Sequence, residues 1–143
     1  MKLTLTVLVA LMLLPACTPK PIPFPEETPD YYSLTLFERI NRYRSTCGLA
    51  GLQWDPALAQ LAREHSIAMF QRERASHRGF EKRHRQAGSW LCVENVAWNY
   101  RSPQALFEGW RRSEDHNDNM LNARLSRVGI AEIDRYVTFF ACR

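Results

Sequence analysis

The sequence predicts an α+β fold, an α-β-α sandwich with a small antiparallel sheet between helical layers. Three observations predict it. Apolar residues recur at helical period over residues 36–43 and 58–69. Three short runs, 91–98, 127–133 and 136–142, read as strands. The order is helices, strand, helix, strands, which packs as layers around one sheet. A chain of 143 residues has room for one such domain but not for two comfortable ones.

Each element follows from local chemistry. The first helix is expected from near Ser33, where Thr35 and Glu38 have capping-box spacing and Leu36, Ile40 and Tyr43 share one face. Gly48 stops it. Asp55 then caps a second helix, Pro56 takes its first position, and Leu58, Leu61, Ala62, His65, Ala68 and Met69 form its inner stripe to about Arg72. Residues 75–90 are polar and irregular at first, anchored by Phe80 and Trp90, with a short helix over 81–86. A strand follows at 91–98. Ser102 and Pro103 open a third helix carrying Ala105, Leu106, Phe107 and Trp110, which ends near Ser113. The last two strands meet in a tight turn at Asp134-Arg135. Trp54, Trp90, Trp98 and Trp110 are assigned to core and groove wall.

The N-terminus is of another kind. Met1-Lys2 precedes an uncharged apolar run over residues 3–14, too short to span a bilayer comfortably, which reads as the core of a signal peptide. The run ends Leu14-Pro15-Ala16-Cys17, which resembles the lipobox of bacterial lipoproteins. The resemblance implies that residues 1–16 are removed and that Cys17 carries lipid and holds the protein to a membrane. Thr18, not aspartate, follows the cysteine, which in a Gram-negative cell implies the outer membrane. The alternative is an ordinary cleaved signal with an incidental cysteine. Five prolines between residues 18 and 30 favour an extended chain. At about 3.1 Å per residue such a tether reaches roughly 40 Å. The expected organisation is a signal peptide over 1–16, a tether over 17–32 and one domain over 33–143.

A formal net charge of +4 is mild, and the arginines are spread along helix-like segments. Solvated faces account for them, and no nucleic-acid partner is expected. With Cys17 set aside, Cys47, Cys92 and Cys142 remain. Export permits a disulfide, an odd count leaves one thiol over, and sequence does not say which two pair.

The chemistry concentrates in two histidines and two glutamates. His77 sits in Ser76-His77-Arg78-Gly79-Phe80, Glu94 in Glu94-Asn95-Val96-Ala97-Trp98, and Glu114 and His116 in Trp110-Arg111-Arg112-Ser113-Glu114-Asp115-His116-Asn117. Neutral imidazoles and carboxylates form both a divalent-metal ligand set and an acid/base set. No local His-Glu-x-x-His motif is present, so only a fold can assemble them. Ser76 and Ser113 lie near the histidines, yet neither occupies a Gly-x-Ser-x-Gly elbow. His65 is read as a hydrogen-bonded core histidine and His84 as a surface residue.

These phrases form a series: Asn41-x-Tyr43-Arg44, Leu52-x-Trp54-Asp55, Ala62-x-x-His65-Ser66, Ser76-His77-x-Gly79-Phe80, Glu94-Asn95-Val96-Ala97, Trp110-x-x-Ser113-x-x-His116-x-x-Asn119, Val128-Gly129-Ile130 and Tyr136-x-Thr138. In this order it resembles the CAP superfamily, which includes cysteine-rich secretory proteins, venom antigens, plant pathogenesis-related proteins and a bacterial branch. The likeness covers nearly all of residues 33–142. It implies the CAP fold and a cavity tetrad of His77, Glu94, Glu114 and His116, with Asn95, Asp115 and Asn119 in support. Two departures stand out. Val93 precedes Glu94, and Asp115 precedes His116, where the family usually has glycine. Val93 is expected to narrow the groove or alter the local backbone, and Asp115 to raise the His116 pKa or add a ligand.

The leading expectation is an exported cell-envelope binding module with a lipid, sterol-like or envelope-polymer ligand and no required cofactor. One alternative is a metal-dependent hydrolase of peptide or envelope substrates. There His77, His116 and one glutamate would hold Zn2+ or another divalent metal, and the second glutamate, with Glu94 the candidate, would serve as base. The other is a structural or interaction protein whose tetrad is only scaffold.

Overall fold

In the computed structural model the described residues are 29–143; the expected signal segment, Cys17 and the expected tether through residue 28 lie outside them. The first helix, α1 (Tyr31–Thr46), starts two residues before the expected boundary, so Tyr31 and Tyr32 are helical and not tether. Its cap is Asp30, whose carboxylate accepts from the Ser33 N–H at 2.9 Å and the Ser33 hydroxyl at 2.7 Å. Thr35 is therefore inside the helix, and its hydroxyl donates to the Tyr31 carbonyl.

Asn41 clamps the chain after α1, donating to the Leu52 carbonyl at 2.9 Å and accepting from its N–H at 2.7 Å. That delivers the backbone to β1 (Gln53–Trp54) and α2 (Pro56–Gln71). Asp55 caps α2 through the Ala57 and Leu58 N–H groups and also pairs with Arg127. There follow α3 (Phe80–Ala87), β2 (Cys92–Trp98), α4 (Pro103–Arg112), α5 (Glu114–Leu121), β3 (Arg127–Ile133) and β4 (Tyr136–Cys142).

The sheet order is β1-β3-β4-β2. β4 pairs antiparallel with both β3 and β2, whereas β1 lies parallel to β3. The sheet is thus antiparallel except at one edge, where β1 was not expected because a two-residue strand shows no periodicity to read. The turn between β3 and β4 has positive φ at Asp134 (47°) and Arg135 (67°), the geometry that keeps a two-residue hairpin in step with strand twist. The Glu132 carboxylate accepts from the Arg135 N–H and holds it there.

Period two in β4 feeds two helical layers. Val137, Phe139 and Ala141 enter the larger core with Leu36, Ile40, Leu106, Trp110 and Met120 from α1, α4 and α5. Phe140 and Cys142 enter the smaller core with Leu58 and Ala62 of α2. Between α2 and the sheet, the buried Ser66 hydroxyl donates to the Ala131 carbonyl and lies 2.9 Å from the Thr138 hydroxyl. Gly129 sets the closeness of that layer. A Cβ there would stand 2.0 Å from the Ala59 nitrogen and 2.1 Å from the Leu58 carbonyl carbon, inside the backbone of α2.

Cys92 and Cys142 are cross-strand partners and form a disulfide, with Cα atoms 4.1 Å apart; among the described residues Cys47 is the free, exposed thiol. Trp110 is buried and Trp54 packs edge-on against Phe37. Trp90 and Trp98 are 60% and 54% exposed, so they are not core. Trp90 lies under Arg124 and Arg143 instead, and Trp98 stacks on Tyr136. α5 is the helix the sequence does not announce. Its eight residues have little apolar stripe, and Ser113 gives it no side-chain cap. Tertiary contacts hold it: buried Arg44 donates to the Met120 and Asn122 carbonyls, and the Tyr43 hydroxyl donates to Asn117.

Candidate functional site

The alternation of β2 divides the site. Glu94 points to the α2–α3 side, while Val93 and Asn95 point to the larger core. Val93 therefore packs away from Glu94 and does not narrow a groove on its face. Glu94 is 5% exposed. A carboxylate so buried must be paired, and Arg83 supplies the pair. The guanidinium meets it in a fork, Nε to Oε2 at 2.8 Å and Nη2 to Oε1 at 2.9 Å, and Nη1 donates to the Arg78 carbonyl.

Glu94 also accepts a bond from His77, Nδ1 to Oε1, at 2.9 Å. With Nδ1 as the donor, Nε2 is the acceptor nitrogen of a side chain that is 54% exposed. This carboxylate–imidazole arrangement fixes a histidine's tautomer and orientation. His65 lies behind it, its Nε2 2.7 Å from the Ser76 carbonyl and 3.7 Å from Glu94 Oε1. Burial pushes the His65 pKa below its ordinary value, with the Glu94 charge opposing and those of Arg83 and His77 adding. A neutral His65 donates that bond to Ser76 and so anchors the segment carrying His77.

His116 approaches from α5, half-buried beside the Trp110 ring at 6.1 Å. Its pKa is lowered, first by burial and then by His77, while Asp115 pulls upward. The Asp115 effect is thus present in the expected direction but outweighed. Asn95 donates to the His116 carbonyl at 2.9 Å, and Asn119 donates to Asn95 Oδ1 at 2.8 Å and to the Glu94 carbonyl at 3.3 Å. These amides tie α5 to β2 and cover the edge of that strand.

The four expected residues are therefore unequal. His77 and Glu94 are bonded, His116 is close enough to feel the charge of His77, and Glu114 stands exposed in the first turn of α5. Acidic residues there favour the helix dipole. Among the described residues no three His, Cys, Asp or Glu side chains are arranged to hold a metal ion. Two imidazoles offer nitrogen donors, but the carboxylate that would complete a catalytic centre is committed to Arg83. Arg83 is the residue that sequence reasoning missed, hidden in Lys82-Arg83-His84-Arg85. The available signal was its spacing with Phe80 and Ala87, which puts it on the inner face of α3. His84 is half-buried against Phe80 and not simply surface.

This geometry, a histidine-bearing loop and a short helix brought to the edge of a three-layer sandwich, is matched by a family. The model of the cysteine-rich secretory protein family, CAP, matches residues 37–137, and the chain belongs to that family. It is 32% identical over 115 residues to the uncharacterized membrane protein YlbC of Bacillus subtilis, covering 72% of this chain and 32% of that one. It is 26% identical to the uncharacterized protein YkwD of the same species, covering 43% of its length. The chain thus spans less than half of either curated relative. Among solved structures, an extracellular protein containing an SCP domain from Bacillus anthracis aligns with TM-score 0.74 and 28% identity, over 78% of this chain and 40% of that one. An outer surface protein of Borrelia burgdorferi aligns with TM-score 0.68 and 21% identity, over 77% of this chain and 91% of that one; that likeness is one of fold.

Proposed function

We propose that this chain is an exported, lipid-anchored binding module of the cell envelope, with His77 and His116 as its recognition groups. The observation that carries this reading is the commitment of Glu94. Both its oxygens accept from Arg83, and one also accepts from His77. A carboxylate so engaged orients an imidazole and holds α3 to the sheet; it is not free to take a proton from water. What remains at the surface is the outer nitrogen of His77 and the neutral ring of His116, suited to a polar ligand or to one weakly held divalent cation such as Zn2+. Export is supported by the apolar N-terminal run and by relatives described as extracellular or outer-surface proteins. Anchoring at Cys17 is supported by the lipobox-like residues before it, with the outer membrane as the site if the cell is Gram-negative.

The test is calorimetric zinc titration of the whole chain and of His77→Ala/His116→Ala, beside fractionation of cells carrying Cys17→Ser. The expected results are zinc uptake of at most one ion per chain that vanishes in the double variant, no peptide hydrolysis by the zinc-loaded protein, and loss of the protein from the membrane fraction. Chelator-sensitive turnover of a peptide or envelope polymer would establish the hydrolase in its place.

A further inference from the structure

Beside the Glu94 cluster lies a concavity that none of the four tetrad residues lines. It is a cavity of about 260 Å³ between α2 and α3, lined by Glu64, His65, Arg72, Arg78, Lys82 and Arg83 among others. Four of these side chains are cationic and one is acidic. The surrounding segment, 72–85, carries six Lys or Arg against two Glu, an excess equal to the formal +4 of the whole chain. Arg72, Arg78, Lys82 and Arg83 of that segment line the concavity, which is therefore strongly basic.

Arg83 is occupied by Glu94 and forms the inner wall. The other cations have no such commitment. Among the described residues no carboxylate pairs with Arg72, Arg78 or Lys82, and Arg72 reaches only the Ala68 carbonyl, at 3.5 Å. The lone acid of the lining, Glu64, accepts from Gln60 at 3.0 Å. At the lip, Gly79 has φ +81° and no side chain; a Cβ there would stand 3.3 Å from Arg83 Nη1. The left-handed backbone thus turns the chain into α3 without filling the opening.

We propose that this cavity is an anion site that takes a phosphate group. Three uncommitted cations converging on one concavity exceed what a single carboxylate requires, and they match the charge and the several acceptor oxygens of a phosphate or phosphodiester. A concave wall strengthens the attraction by focusing the field of charges that on a flat face would be screened. The site includes neither His77 nor His116 and does not depend on them. A phosphate group reaches an envelope protein from two sources, a free phosphate ester or an anionic lipid headgroup, and both present the same chemistry.

The experiment compares the whole chain with Arg72→Gln/Arg78→Gln/Lys82→Gln, three exposed positions outside the Arg83–Glu94 pair. Amide chemical shifts are followed while inorganic phosphate or glycerol 3-phosphate is added. In parallel, cosedimentation is measured with vesicles of phosphatidylglycerol in phosphatidylcholine and of phosphatidylcholine alone. The expected result is saturable binding with shifts centred on residues 64–86, weakened at least about tenfold in the triple variant and by added salt. Binding of the soluble esters assigns the free source; a gain on anionic vesicles alone, lost in the triple variant, assigns the headgroup. An unchanged melting temperature keeps the comparison valid, and Lys82→Gln alone replaces the triple variant if that fails to fold. Binding unaltered by the substitutions, or no saturable binding to either probe, overturns the proposal.

Discussion

At the scale of single residues, the site is governed by what a buried charge requires. Glu94 could be picked out in the sequence by its phrase; the helical spacing of Arg83 could place it on an inner face but could not name it as the partner. Arg83 lies eleven residues away on another element, in a basic run whose ordinary reading is a solvated face. The same fold gives His65 a role that its apolar stripe only half shows, since its ring holds the Ser76 carbonyl that positions His77. Burial lowers the His65 pKa, which ties stability to pH. As pH falls through about 6.5 the unfolded chain takes up a proton that the folded chain refuses, so stability falls on the acid side. One histidine held fully neutral contributes a slope of up to about 1.4 kcal/mol per pH unit. Melting temperature should therefore drop as pH is lowered from about 7.5 to about 5.5, a window that spans the unfolded histidine pKa. His65→Gln should flatten the dependence even if it lowers stability throughout. A slope unchanged in the variant would contradict the assignment.

At the scale of elements, what was legible follows period and punctuation. The strands β2, β3 and β4, the alternation of β2, the Asp55-Pro56 start of α2 and the Asp134-Arg135 turn were all readable from local chemistry. β1 and α5 were not. One is too short to show a period, and the other is held by Arg44, Tyr43 and Asn95 from elsewhere in the chain. The start of α1 was displaced because Thr35 and Glu38 imitate a capping box, whereas Asp30 forms the actual cap. Gly129 is the clearest link between sequence and packing, since α2 rests on its bare Cα. Gly129→Ala should force α2 off the sheet at a cost of at least about 3 kcal/mol, the upper range for overpacking against atoms that cannot yield. Chemical denaturation measures it, and a loss below about 1 kcal/mol would show that the layer is more adaptable than described.

At the scale of the whole molecule, the sandwich separates two chemistries on one framework. The α2–α3 layer carries the Glu94 pair and the basic cavity, and α5 carries His116 against the β2 edge of the sheet, within the electrostatic reach of His77. The resemblance made the family and the layer order legible; it did not show that Glu94 is locked, because that depends on where α3 docks. The locked carboxylate also changes what a substitution there means. Glu94→Gln leaves a buried guanidinium without its counter-charge, so loss of activity in that variant alone would not identify a catalytic base. The decisive measurement is a double-mutant cycle of Arg83→Met and Glu94→Gln in the whole chain, read by urea unfolding. Each single change should cost about 3–5 kcal/mol, and the double variant should recover about 2–3 kcal/mol of their sum. Single losses below about 1 kcal/mol that simply add would mean that Glu94 is free of Arg83, and would return it to candidacy as a base.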